Sequence, residues 1–129
     1  MGEKPRLTLS KNERLCNIKL IESLYKSPNV VKSFPLIFSY RISEVQLAHD
    51  FQILFTVPKR NFKKAVDRNR VKRILRDRFR LLKPEFLIPF EGKFIYCSIV
   101  YTAKELPLYQ DIDKSLKKLI KKLDEEIIR

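Results

Sequence analysis

The residues of this chain best equipped for chemistry are cations. Residues 63–80 read KKAVDRNRVKRILRDRFR, and nine of these eighteen are Lys or Arg. They suit the binding of a polyanion rather than the making or breaking of bonds. Guanidinium forks match phosphate oxygens two at a time, and ammonium groups add point charge. Asp67 and Asp77, the only acids in the stretch, lie ten residues apart and temper its charge rather than hold a metal. Other chemistries are poorly supplied. His49 is the only histidine, so neither a histidine metal cluster nor a Ser-His-Asp arrangement can be built. Gly2 and Gly92 are the only glycines, too few for a dinucleotide or Walker loop.

Something must hold those cations in place. Val71, Ile74, Leu75, Phe79 and Leu82 recur in steps of three and four, which predicts a helix with one apolar face. Arg68, Lys72, Arg76 and Arg80 step by four along a different face, with Asn69 and Arg73 beside them. Like charges at that spacing cost about 0.2–0.5 kcal/mol per pair. A solvated helix normally mixes acids with bases. The imbalance here points to a polyanion that offsets the repulsion. A basic loop, Lys59 and Arg60 then Lys63 and Lys64, feeds the helix. Pro84 is predicted to end it near Leu82 or Lys83.

The remaining elements follow from periodicity. Residues 1–9 show none and read as an extended arm. Leu15, Ile18, Ile21, Leu24 and Tyr25 mark a first helix ending near Lys26. Two starts compete: Ser10 with Glu13 as a capping box, or Asn17 as a later cap. A very short strand is expected near 29–33 and a clearer one over 34–42, with Ile37, Ser39 and Arg41 sharing a face. Another strand covers 50–59, and the short polar link between these two predicts an antiparallel hairpin. Residues 84–92 read as irregular. Residues 93–103 are apolar on both faces, which fits a central, doubly covered strand. A last helix over about 109–127 buries Ile112, Leu116, Leu119, Ile120, Leu123 and Ile127. Its lysines, Lys114, Lys117, Lys118, Lys121 and Lys122, read as a solvated face. The order α-β-β-β-α-β-α predicts a two-layer α/β sandwich with one sheet.

Composition sets the outer limits. At 129 residues, with 44% hydrophobic content, the chain is expected to be one domain with a real core. Its 28 Lys and Arg against 15 Asp and Glu leave a formal charge of +13, which points to nucleic acid or an anionic surface. No apolar run approaches the roughly 20 residues of a spanning helix, so no membrane role is expected. No secretory signal pattern is read, and Arg6 breaks a myristoylation pattern. Cys16 and Cys97 are too few for a disulfide framework; two reduced, partly buried thiols suit a cytoplasmic protein.

Residues 65–73, AVDRNRVKR, with Arg76 beyond them, resemble the signature segment of the bacterial ribonuclease P protein component. Arg14-Leu15, Tyr25, the strand before Lys59-Arg60 and the Lys-rich last helix extend the resemblance along most of the chain. It implies a four-stranded sheet with three main helices and a left-handed β-α-β crossover, an exception to the usual right-handed rule. It implies that the chain binds the catalytic RNA subunit and promotes removal of the 5′ leader from precursor tRNA. Catalysis would then belong to RNA with Mg²⁺, held mainly by the RNA, with no obligatory protein partner. Residue by residue, Arg68, Asn69, Arg70, Lys72, Arg73 and Arg76 would face RNA, with Lys59, Arg60, Lys63 and Lys64 extending that surface. Tyr25 and Ile21, facing Ile37 and Ser39, would form a cleft for the single-stranded leader. The family often carries aromatics where this chain has Ile21 and Ser39.

Three other functions compete on composition. A general RNA-binding or ribosome-associated protein is separated from this one only by the signature segment. A DNA-binding regulator lacks a helix-turn-helix pair, because the basic helix is flanked by strands. An enzyme using its own side chains lacks histidine near its acids.

Overall fold

The computed structural model of the chain describes residues 13–26, 29–43 and 50–127. Its elements are α1 (Ile18–Lys26), β1 (Asn29–Ser33), β2 (Leu36–Ser43), β3 (Phe51–Thr56), α2 (Ala65–Leu87), β4 (Phe94–Tyr101) and α3 (Tyr109–Ile127), with a 3-10 turn at Ile88–Phe90. This is the predicted α/β order. The expected arm, Ser10 and the link over 44–49 lie outside the described residues.

The strands form one mixed sheet in the order β1-β2-β4-β3. β2 pairs antiparallel with both β1 and β4, and β3 pairs parallel with β4. The expected hairpin between β2 and β3 is therefore wrong. β4 lies between them. Its Ile95, Cys97, Ile99 and Tyr101 are buried on one face and its Tyr96 and Ser98 on the other. A strand with so little to show to water is stable only with neighbours on both edges. α2 makes the crossover from β3 to β4. β3's outer edge is met by the chain ahead of α1: Arg14 bridges Ile53, and the Leu15 N–H donates to the Ile53 carbonyl at 3.0 Å.

Two further expectations need correction. Phe34 and Pro35 are not strand residues but the two-residue turn between β1 and β2, with Ser33 paired to Leu36. Phe34 is thus exposed, while Leu36, Phe38 and Tyr40 further along β2 are buried. Nor does Pro84 end the basic helix, which runs through it to Leu87. Proline costs about 3 kcal/mol inside a helix. Continuing buries Phe86 and leads Phe90 inward, each worth about 1.5–3 kcal/mol. Phe86 rests 4.8 Å from Phe79 and 5.5 Å from Phe38 between ring centroids.

The main core lies between the sheet and the pair α2 and α3. Arg78 of α2 binds Asp113 of α3 through two bonds of 2.8 Å, and its guanidinium stands 5.3 Å over the Tyr109 ring. That carboxylate raises the pKa of Arg78 further. Tyr40 is buried under α3. Burial, and then the Glu126 carboxylate that it hydrogen-bonds, push its pKa up to about 12. α1 lies on the opposite face of the sheet, where Leu15, Leu24 and Tyr96 form a smaller core with Leu20, Ile21 and Leu54 packed around it. Of the two caps that competed for α1, Asn17 holds it: its side-chain oxygen accepts from the Leu20 N–H at 3.2 Å.

Candidate nucleic-acid interface

α2 buries Val71, Ile74, Leu75 and Phe79 of the stripe its spacing predicts, leaves Leu82 half-buried, and adds Phe86, which lies beyond the predicted end of the helix. This turns Asn69, Arg70, Arg73 and Arg76 to solvent, with Lys72 half-buried at the margin. The cations of α2 then divide by their neighbours. Arg78 binds Asp113, Arg80 binds Asp77 at 2.9 Å, and Lys83 pairs with Glu13. No ion pair or hydrogen bond with a described residue engages Arg70, Lys72, Arg73 or Arg76. Among the described residues no carboxylate offsets their charge.

Arg68 departs from the exposed row it was expected to join. It is half-buried, and its Nη1 donates to the Phe62 carbonyl at 2.8 Å and the Lys63 carbonyl at 3.0 Å. Both acceptors are backbone carbonyls. Its work within the chain is to tie the basic loop to the first turn of α2. The loop is held elsewhere as well. Asn61 N–H closes a turn onto Pro58 O at 3.1 Å, which puts Lys59 and Arg60 at the exposed corners. Asn61 Nδ2 donates to Thr102 O at 3.2 Å, and the buried Phe62 ring lies 6.1 Å from Tyr101. Lys63 and Lys64 are exposed. The sheet thus fixes the loop's backbone while its cations face outward.

The residues expected to form a leader cleft lie on the other face of the sheet, beside α1. Tyr25 is 48% exposed, so it is no core residue. Ile21 and Ile37 are half-buried. Ser39 is only 5% exposed and belongs to the floor. On that floor Ser98, paired with Ser39 across the strands, keeps a buried hydroxyl without a hydrogen-bond partner among the described residues. Sequence reasoning missed the residue that fastens α1. Arg41 Nη1 donates to Ser23 O at 2.9 Å and Ser23 Oγ at 2.8 Å, and Ser23 Oγ lies 3.2 Å from Tyr96 Oη. The signal was present: Arg41 shares strand parity with Ile37 and Ser39.

Among the described residues no three His, Cys, Asp or Glu side chains gather in a way that could hold a metal ion. No helix of the described residues is long and apolar enough to cross a membrane.

A sheet-backed helix whose exposed cations meet no carboxylate among the described residues defines a nucleic-acid-binding subunit. Comparison with known proteins gives the family. The model of the family described as Ribonuclease P matches residues 9–124. A ribonuclease P protein component of Porphyromonas gingivalis (strain ATCC BAA-308 / W83) is 32% identical over 121 residues, covering 92% of this chain and 88% of that protein. The solved RNase P protein of Staphylococcus aureus superposes with a TM-score of 0.67 at 20% identity, covering 91% of this chain and 98% of that one. That of Thermotoga maritima gives 0.66 at 20% identity, covering 85% and 96%. At such identities the two structures establish the fold. The chain belongs to the ribonuclease P protein family, the protein components of the RNA-based endoribonuclease that matures the 5′ end of tRNA.

Proposed function

We propose that this chain grips the RNA subunit of ribonuclease P through α2 and its loop, and takes the 5′ leader of precursor tRNA in the cleft beside α1. The observation that carries this reading is the division among the cations of α2. Arg78, Arg80 and Lys83 have carboxylate partners; Arg70, Lys72, Arg73 and Arg76 have none among the described residues. Asn69 adds a neutral donor and acceptor beside them. Lys59, Arg60, Lys63 and Lys64 widen the contact toward the cleft, and Arg68 acts through the loop it ties. In the cleft Tyr25 supplies a stacking face, while Ile21, Ile37 and Ser39 form wall and floor. With little aromatic surface besides Tyr25, leader binding relies on that one ring and on nearby charge.

Mg²⁺ and the cleaving groups belong to the RNA in this reading, and the protein supplies binding and position. The chain works as one domain in the cytoplasm, with no obligatory protein partner. The test is reconstitution: bacterial ribonuclease P RNA at low Mg²⁺, with and without this protein, assayed for leader release from precursor tRNA. Release with both components and little with either alone is expected. Cleavage by the protein alone, or no gain from adding it, would reject the reading.

A further inference from the structure

The β1–β2 turn presents a feature that the helix and the cleft do not use. Phe34 is 80% exposed, the most exposed large apolar residue among those described. Its backbone is nevertheless pinned. Ser115 Oγ of α3 donates to the Phe34 carbonyl at 2.9 Å. Thr102 donates to the Pro35 carbonyl twice, from its N–H at 2.8 Å and from Oγ1 at 2.9 Å. A ring left in water on a fixed turn costs hydrophobic free energy and little further entropy when something covers it. Beside it lies a recess of about 320 Å³. Tyr101, Ala103, Leu106 and Pro107 line it, with Lys114 and Lys118 from α3 and the carboxylates Glu105 and Asp111.

The position of this turn selects a partner. β1 ends and β2 begins at the sheet end where β3 and β4 finish, because β2 runs antiparallel to both neighbours and β3 parallel to β4. The basic loop leaves β3 at that same end. Thr102 connects the two features: it donates to Pro35, and its carbonyl accepts from Asn61 of the loop. Phe34 and the Lys59-Arg60 corner therefore lie at the same end of the sheet. At +13 the chain as a whole repels a second copy of itself and draws in a polyanion. The recess itself balances two lysines with two carboxylates, which suits a base rather than a bare phosphate. Carboxylates accept from exocyclic amino groups, lysines meet the flanking phosphates, and an aromatic ring stacks on the base face.

We propose that Phe34 and its recess form a further RNA contact that takes one unpaired nucleotide, stacked on the Phe34 ring, with Lys114 and Lys118 on its phosphates. This rests on the RNA-binding reading above for the class of partner, and its test can fail separately. The full chain contains no tryptophan, so Phe34→Trp gives a fluorophore at this site alone. Titration with bacterial ribonuclease P RNA, with precursor tRNA and with a short oligoadenylate should quench that fluorescence in at least one arm. Phe34→Ala and Phe34→Leu should each weaken binding of the quenching RNA by about 5- to 100-fold, the range of one lost stack. Phe34→Trp should bind as well as the parent. No quenching in any arm overturns the proposal. So does full affinity in Phe34→Leu, which would make the ring an apolar plug, as for a protein partner. Should Phe34→Ala bind normally while Arg73→Ala binds weakly, this inference fails and the α2 reading stands. Should neither variant lose affinity, both fail.

Discussion

Arg73 and Arg78 carry the same side chain on the same helix and differ in what surrounds them. Asp113 is bonded to Arg78 at two points, while Arg73 meets no described carboxylate. Arg73→Ala should therefore weaken RNA binding about tenfold or more, since hydrogen bonds to charged groups are worth roughly 1.5–3 kcal/mol. Its melting temperature should stay near that of the parent. Arg78→Ala should do the reverse, losing about 1 kcal/mol of stability with RNA affinity kept. Thermal melts and filter binding on the same preparations check both. Tyr25→Ala should reduce affinity for precursor tRNA by about 5- to 100-fold and leave mature tRNA unchanged. Equal loss for both would remove the leader from the cleft. The cysteines give an independent probe of burial. Cys16 is exposed, and Cys97 is wholly buried, which pushes its thiol pKa well up. A thiol reagent at neutral pH should label one site quickly in the folded protein and two after unfolding. Two rapid labels would contradict the placement of β4. The sequence had suggested two partly buried thiols; a cysteine just ahead of a helix gives no periodic signal of its own exposure.

At the scale of elements, what was legible is what periodicity encodes. Most of the buried stripes of α2 and α3 are those the spacing names, with Leu82 and Ile127 at their ends only half-buried, and the apolar run of β4 marked it as central. Where tertiary burial outweighs a local rule, the local rule fails. Pro84 said stop, but the burial of Phe86 and Phe90 outweighs its cost. Phe86→Ala should accordingly cost about 3–5 kcal/mol. A loss under about 1 kcal/mol in denaturant unfolding would show that the ring cluster does not hold the end of α2. Asn17 and Ser10 were equal candidates on paper, because capping chemistry is local and both fit. The misplacement of Phe34 has the same origin. Alternation continues through 34–42, and nothing in it marks the two residues that turn.

For the whole molecule, periodicity names the strands but not the order in which they pair. A short link favours a hairpin, but only the packing of β4 decides that a strand must enter between β2 and β3. The candidate interface was legible as a set of residues and less so as a surface. Arg68 shares its spacing with Lys72 and Arg76, yet the returning loop takes its donors, and Arg41 became visible only when α1 lay across β2. With a net charge of +13, affinity should be governed by counterion release. The most direct measurement is the salt dependence of binding to ribonuclease P RNA, compared between the parent chain and Arg73→Ala. If six or more phosphates are met, affinity should fall about 10³- to 10⁵-fold between roughly 50 and 200 mM salt, with the log–log slope about one unit shallower in the variant. A nearly flat dependence, or the same slope in both, would contradict an RNA grip through the cationic face of α2.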